Sequence, residues 1–449
     1  MTGSGEPRPN GVDVVIPYYR DQPMLDRILG ALRDQRGLDT GADRGRPDRL
    51  HIIVADDGSP TPPTVPDGVT VVRHEDRGFR ASAARRLGAR AGHGEILLFL
   101  DGDTVPGPHY VAAMVAALDG HPDLLVVGRR RHGRFATGPP TAGTSHEPVE
   151  ILPDPAWPAA FYAETGDLTR GDDLWRGVLS AVCGLHRRLY DLAGGFDPAI
   201  VGYGGEDWDL AWRCEQAGGR LRYVKGAVAW HDGPDWHGRA SAAHDHLAQK
   251  NTETARLAPL IASPHTRPAG AIFALPTTAV HVHADDPTFA ATGSTAATCA
   301  SLLGWGDVAV TVDPASPDAP LLAELFGGDP RVTVGARPRW WRAGVQGEGP
   351  RRRPPILVDL HRPCTPGTLD VTGLRALCPA AGSATIDDDE GRPLARIRSS
   401  RALAREQVWG DRPPPAPSIP AAGPGAGPLL EPLRDDGFGV RLERFFGGW

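Results

Sequence analysis

Lysine is nearly missing from this chain. Of its 48 Lys and Arg residues only Lys225 and Lys250 are lysines, so almost every fixed cation is an arginine. An early Gly-rich loop bearing a lysine, the usual cradle for a triphosphate, is therefore absent, which counts against a nucleotidyltransferase. Cysteine is scarce as well. Cys183, Cys214, Cys299, Cys364 and Cys378 are odd in number and never spaced CxxC, so ordinary reduced thiols are expected. No apolar run approaches the roughly 18 residues of a membrane span, and the first residues lack the pattern of a signal peptide. Neither a spanning helix nor export is expected, and the expected location is cytoplasmic. There is no excess of positive charge either: the net charge is −7, with both signs mixed along the chain, which gives no support to nucleic-acid binding. What the 449 residues do hold is 40% hydrophobic content, enough for globular cores, and a length that favours two domains.

Residues 1–10 are polar and predict a disordered tail. Val12 to Pro17 predicts a first strand, stopped by a proline that cannot donate to a ladder. Met24, Leu25, Ile28, Leu29 and Leu32 then recur at helical spacing. His51 to Ala55 is a second buried strand, with Asp56-Asp57-Gly58-Ser59 at its exit, and Val69 to Val72 a third. An Ala-rich helix follows over 78–89. Alternating strands and helices with polar residues at successive strand exits predict a Rossmann-like, mostly parallel α/β sheet of the kind that binds nucleotides.

The chain is organised around Glu95 to Thr104. Five apolar residues, Ile96 to Leu100, suit a strand buried on both faces, so the polarity change at Asp101 marks its carboxyl end, where open α/β sheets bind ligands. Asp101-Gly102-Asp103 sets two carboxylates one residue apart, and two close anions repel unless a cation lies between them. All-oxygen ligands suit Mg²⁺ or Mn²⁺, with diphosphate oxygens and water completing the shell. A bare DxD is ordinarily a solvated turn; its surroundings here favour the metal. Residues 129–173, rich in Pro, Gly and charge, predict a long, partly ordered loop. A second dense cluster, Gly202 to Arg213, has a Gly-rich approach and acids placed at a helix start, where the helix dipole favours them.

Several spaced motifs agree: Val14-Val15-Ile16-Pro17-Tyr18-Tyr19, Asp56-Asp57-Gly58-Ser59, residues 78–88, Leu100-Asp101-Gly102-Asp103, Gly194-Gly195-Phe196-Asp197 with Gly204-Gly205-Glu206-Asp207-Trp208-Asp209, and Trp230-His231. Together, residues 12 to about 232 resemble the inverting family 2 glycosyltransferases of the GT-A fold, and the Gly-Gly-Glu-Asp region is similar to that of chondroitin-polymerase and galactosyltransferase-type enzymes. One departure is Ala84-Arg85-Arg86, where the family commonly has Ala-Arg-Asn. The resemblance implies that Pro17, Tyr19 and Asp57 line the base pocket, with Asp56 a weaker member, and that Asp101 meets the ribose or sugar. It also implies that Asp103 and His231 hold Mn²⁺ or Mg²⁺ and that Asp207 is the general base, with one base and no protein nucleophile giving inversion. Glu206 and Asp209 either orient the acceptor or cap the helix. Trp208, four residues before Trp212, is either core or an apolar platform for a sugar ring. Arg80, Arg85 and Arg86 form either a basic face near the diphosphate or one solvated helix side. The implied partners are a nucleotide-sugar donor, with a UDP sugar the leading candidate, and a hydroxyl-bearing acceptor.

From 236 to 269 a helical linker is expected. Beyond it the strand and helix order of the first half repeats, and Pro355 to Gly367 aligns with Glu95 to Gly107 without a gap, His361-Arg362-Pro363 replacing Asp101-Gly102-Asp103. Residues 270–410 are accordingly expected to be a degenerate GT-A-like domain that has lost the acids, following a catalytic domain over 11–235. Its roles are expected among support, dimerisation and holding acceptor. Asp387-Asp388-Asp389-Glu390 predicts a hairpin turn. Residues 411–449 form a Pro/Gly-rich linker and a tail whose Phe445, Phe446, Trp449, Arg441 and Arg444 suit docking on the protein or peripheral contact with a membrane. A non-catalytic sugar- or nucleotide-binding scaffold is the rival reading.

Overall fold

The computed structural model describes residues 8–37, 50–138, 146–234, 243–268, 270–284, 286–338, 349–378, 382–411, 416–421, 428–433 and 442. The expected membrane-touching tail lies outside them, as does most of the expected N-terminal tail. Among the described residues no helix is long and apolar enough to cross a membrane. The chain divides into two compact units, one of residues 1–215, 219–257 and 346–351 and one of 216–218, 258–345 and 352–449.

The first unit runs β1 Arg8–Tyr18, α1 Gln22–Arg33, β2 Leu50–Asp56, β3 Thr70–Arg73, α2 Ala81–Ala91, β4 Gly94–Leu100, β5 Thr104–Pro106, α3 Tyr110–Leu118, β6 Leu124–Arg134, β7 Glu150–Leu152, α4 Ala156–Glu164, β8 Val182–His186, α5 Arg187–Ala193, α6 Glu206–Gln216, β9 Arg220–Asp232 and α7 Ala243–Leu257. Its strands form one sheet in the order β3-β2-β1-β4-β8-β6-β9-β5, with β7 on β6. The first four are parallel, as expected. Beyond β4 the sheet is mixed, because β8 runs antiparallel to both β4 and β6 and β5 runs antiparallel to β9. The apolar run of β4 takes the central place: Leu97, Leu98, Phe99 and Leu100 are fully buried, each contributing about 1.5–3 kcal/mol.

The expected long loop over 129–173 is a correction. β6 continues to Arg134, pairs with β7 through His132, Gly133 and Arg134, and α4 follows. Backbone pairing with β9, from Leu124 through Gly133, extends a strand whose own sequence is too polar to announce it.

The second unit contains β10 Thr278–Val282, α8 Ser294–Leu302, β11 Val308–Val312, α9 Ala319–Phe326, β12 Val332–Val334, β13 Ile356–Leu360, β14 Cys364–Thr365, α10 Val371–Leu377, β15 Ser383–Asp387, β16 Pro393–Ser399, α11 Ser400–Trp409, β17 Ser418–Pro420 and β18 Glu431–Pro432. Its main sheet has the order β12-β11-β10-β13-β16-β15-β17. β10 to β13 are parallel and β16 antiparallel, so the two sheets share the order of their first four strands and the sense of the fifth. The run at 387–390 is the predicted hairpin turn, closed by the Asp388 N–H donating to the Arg392 carbonyl at 2.8 Å.

Candidate active site

In the first unit the strand order reverses between β1 and β4, and the crevice outside their carboxyl ends is where such sheets take ligands. Three groups of the expected residues meet there.

At the first side the chain leaves β1 through Tyr18 and Tyr19. Tyr19 is exposed, donates its hydroxyl to Asp76 Oδ2 at 3.1 Å, and carries the Arg20 guanidinium over its ring. Asp57 is buried, accepts from His74 Nε2 at 2.6 Å and from the Arg80 backbone N–H at 2.8 Å, and so ties the exit of β2 to the start of α2. His74 is a partner that no sequence motif announced. Asp56 is a correction: it is fully buried, accepts from the Ser59 N–H at 2.8 Å and pairs with Arg73 at 3.1 Å, so it closes the Asp-Gly-Ser turn and does not face a base.

At the end of β4, Gly102 packs against the exit of β1. A Cβ there would lie 2.5 Å from the Pro17 carbonyl oxygen, closer than any side chain can stand. We expect Gly102→Ala to force the two strand ends apart and to weaken nucleotide binding at least tenfold, checked by calorimetric titration with UDP; an unchanged affinity would show that the strand ends are free to separate. The Asp101 N–H donates to the Ala181 carbonyl at 3.2 Å, and its carboxylate, a quarter exposed, pairs with Arg85. Asp103 lies half exposed with Oδ2 3.4 Å from His231 Nε2. The His231 Nδ1 is 3.2 Å from the Gly233 carbonyl. A carbonyl can only accept, so Nδ1 carries the proton and the Nε2 lone pair of the neutral ring is turned toward the carboxylate. That pairing is repulsive unless the ring is protonated or a cation sits between the two.

The two side chains could together hold a divalent ion, which would need further oxygen ligands to complete its shell. Among the described residues no three His, Cys, Asp or Glu converge as a closed metal cage.

At the third side, α6 begins at Glu206 after Gly204 and Gly205, whose φ of +90° and +93° only glycine adopts without strain. Asp207 is half-buried and accepts from the Trp208 N–H at 2.8 Å. Burial, and then the neighbouring Glu206 carboxylate, raise its pKa to about 7. Glu206 is buried and held by Arg85 Nη1 at 2.9 Å. The same guanidinium reaches Asp101 through Nη2, so one buried arginine joins the end of β4 to the start of α6.

Arg85 is therefore neither part of a solvated side nor of an open basic face, while Arg86 donates to the Gly194 and Phe196 carbonyls. Asp209 is a correction too: fully buried and paired with Arg213 at 2.6 Å inside the helix, it is out of an acceptor's reach. Trp208 is half-buried, edge-on to Trp175, with the Lys250 ammonium 5.3 Å over its ring, whereas Trp212 is core. His132 was also missed by sequence reasoning; it is buried 5.1 Å from the His231 ring in the facing register of β6 and β9.

The sheet reverses strand order over the Asp101-Gly102-Asp103 turn, with His231 beside the second acid and Asp207 at the start of α6, an arrangement consistent with the GT-A fold. Residues 13–174 match the model of Glycosyl transferase family 2. Among curated proteins the chain is similar to validoxylamine A glucosyltransferase of Streptomyces hygroscopicus subsp. limoneus, 31% identical over 46% of this chain and 48% of that one. It is also similar to hyaluronan synthase of Pasteurella multocida, 26% identical over 50% of this chain and 25% of that one, and to chondroitin synthase of Escherichia coli, 24% identical over 50% and 35%. The chain spans about half the length, or less, of these relatives. Among solved structures it is similar to GalNAc-T7 with UDP, GalNAc and Mn²⁺, at 17% identity and a TM-score of 0.37 over 52% of this chain and 45% of that one, a likeness too slight to bear on activity.

Proposed function

We propose that the protein transfers a sugar from a nucleoside-diphosphate sugar, with a UDP sugar the leading donor, to a hydroxyl of an acceptor, with inversion by single displacement. The observation that carries this reading is the Asp101–Arg85–Glu206 bridge, which couples the donor-side strand end to the helix bearing Asp207. Pro17, Tyr19 and Asp57 hold the nucleotide end. Asp103 and His231 would hold Mn²⁺ or Mg²⁺, and the imidazole ligand favours Mn²⁺. When bound, the ion would neutralise the departing diphosphate. Asp207 takes the proton of the acceptor hydroxyl as its oxygen attacks the anomeric carbon from the face opposite the leaving group. Its raised pKa suits that task at neutral pH. Trp208 and Lys250 border the acceptor side. The names of the two relatives at 30–31% identity specify glucosyl transfer, which makes UDP-glucose the first donor to screen.

The second unit, in this reading, is a GT-A-like repeat without the metal acids. Its strand order supports this, as do equivalent backbone bonds: the N–H after the second strand donates to the first strand's last residues in both units, from Asp57 to Tyr18 at 2.9 Å and from Asp313 to Val282 at 3.0 Å.

The testing experiment is a calorimetric titration of UDP with Mn²⁺ and then with chelator. A metal-dependent component of binding that disappears in Asp103→Ala is the expected result. Binding of which no part responds to chelator or to that substitution would remove the metal assignment, and no binding of any nucleoside diphosphate would favour a non-catalytic scaffold.

A further inference from the structure

In the second unit one face of the sheet is a continuous apolar core, built on Val280 and Val282, Val310 and Val312, and Ile356, Val358 and Leu360. The opposite face begins apolar, with Ala279 and Leu357 packed on Leu403, and then changes character toward the carboxyl ends of the strands. There the alternation of β10 and β13 turns His281, His283, Asp359 and His361 to one side. Parallel strands covered on both faces are normally apolar throughout, so buried His281 and Asp359 in the two central strands are a costly arrangement that packing does not ask for.

The polar half-face lies where the strand order reverses, between β10 and β13. This is the crevice position that the first unit uses for its DxD turn. His283 donates from Nε2 to Asp359 Oδ1 at 3.1 Å, stacks on His361 with centroids 4.7 Å apart and planes 14° from parallel, and meets His281 at 4.6 Å. Asp359 also pairs with Arg337 and, at 3.5 Å, with Arg398. Burial alone pushes the Asp359 carboxyl up, but the hydrogen bond to His283 and the two guanidiniums hold it at about 2. It is thus a fixed anion that anchors an arginine and a histidine at the mouth of the crevice. Side chains of Arg337 and His283 remain 40% and 25% exposed there.

The other acids at this rim have local tasks. Asp388 pairs with Arg362 and Arg392, Asp313 accepts from the Ala315 N–H, and Asp286 from Thr288. The imidazoles of His283 and His361 are stacked rather than convergent, and among the described residues no group of three or more His, Cys, Asp or Glu could hold a metal ion.

We propose that this crevice is a second ligand site that binds a phosphoryl group directly, through Arg337, Arg362, His283 and His361, without a divalent cation. Where the first sheet meets a diphosphate through acids and a metal, the second meets its anion through guanidinium and imidazole. The loss of the DxD acids at 361–363 is then an exchange of one mode of anion binding for another. The inference rests on the second unit alone and stands whether or not the first is a transferase.

The test uses the full chain carrying Asp103→Ala, in chelator, so that metal-dependent binding at the first site is silent. Pyrophosphate and UDP are titrated calorimetrically. Binding of one equivalent of pyrophosphate is expected, weakened at least tenfold by Arg337→Gln and by His361→Gln, with the melting temperature of the His361 variant unchanged. UDP binding more tightly than pyrophosphate would identify a nucleotide as the ligand, and equal affinity a phosphoryl group alone. Absence of binding by both probes, or affinity untouched in the His361 variant, overturns the proposal.

Discussion

Asp207→Asn is expected to leave UDP binding intact and to lower sugar transfer by about 10²–10⁴-fold, the range that a positioned general base contributes. The asparagine keeps the size of the side chain and an oxygen for the Trp208 N–H, so the start of α6 is preserved while proton acceptance is lost. The pH profile adds a second, independent reading. Burial, then Glu206, with Glu253 adding, disfavour the Asp207 carboxylate; Arg85 and the Trp208 N–H oppose them, and the balance stands at about 7. The proton is held below that value. In the wild type kcat/KM should therefore rise about tenfold per pH unit through the acid range and level off above about pH 7, and the limb should vanish in the variant's residual rate. Because Glu206 is adjacent, the limb reports the pair rather than one carboxyl.

Stability should move the other way. A carboxyl raised from 3.8 to about 7 by folding favours the fold fully below the unfolded value, and this contribution is lost as pH rises through about 7. Above neutrality Asp207→Asn should thus melt at a higher temperature than the wild type. Wild-type turnover by the variant would remove Asp207 as the base.

Arg85→Met should destabilise the first unit by about 3–5 kcal/mol, the cost of stranding buried charge, and lower its melting temperature by on the order of 10 °C. Arg85 is 3% exposed, and its two terminal nitrogens reach separate acids, Glu206 and Asp101. Methionine fills the volume and leaves both carboxylates unanswered. Arg85→Lys restores a charge without the fork, since an ammonium is a point charge that cannot hold both acids in one plane. The lysine variant should recover part of the stability and little of the transfer rate. Thermal melts set beside transfer rates separate the two effects. A methionine variant that melts with the wild type would show that the bridge does not support the fold, and a lysine variant at full rate would show that the fork does not position the base.

These expectations depend on an arrangement that was only partly legible in the chain. The buried run at Ile96 to Leu100 announced both the strand and its end, since five apolar residues followed by Asp-Gly-Asp leave few alternatives. The parallel order of the first four strands followed from alternation of elements, and the resemblance in motifs singled out Asp103, His231 and Asp207 as candidates. Resemblance alone ranks Asp57 above Asp56; the partners that distinguish them, Arg73 for Asp56 and His74 for Asp57, come only with packing. For Glu206 and Asp209 the sequence leaves open whether they orient an acceptor or cap the helix, and only packing shows both held by buried arginines. The second half of β6 is hidden within the expected loop because its residues, Arg129 to Arg134, are too polar to announce a strand that pairing with β9 and β7 extends.

The sequence by itself determined most of the elements, the strand end that carries the DxD, and the His361-Arg362-Pro363 that follows the aligned strand of the second unit, because each is written within about ten consecutive residues. The tertiary structure decided which acids keep their freedom. Arg85 and Glu206 are 121 residues apart in the chain, and Arg85 and Asp101 are 16 apart. Whether a carboxylate is a base, a ligand or one side of a buried ion pair depends on the dielectric and the cation that folding brings to it, and neither is a property of its neighbours in sequence.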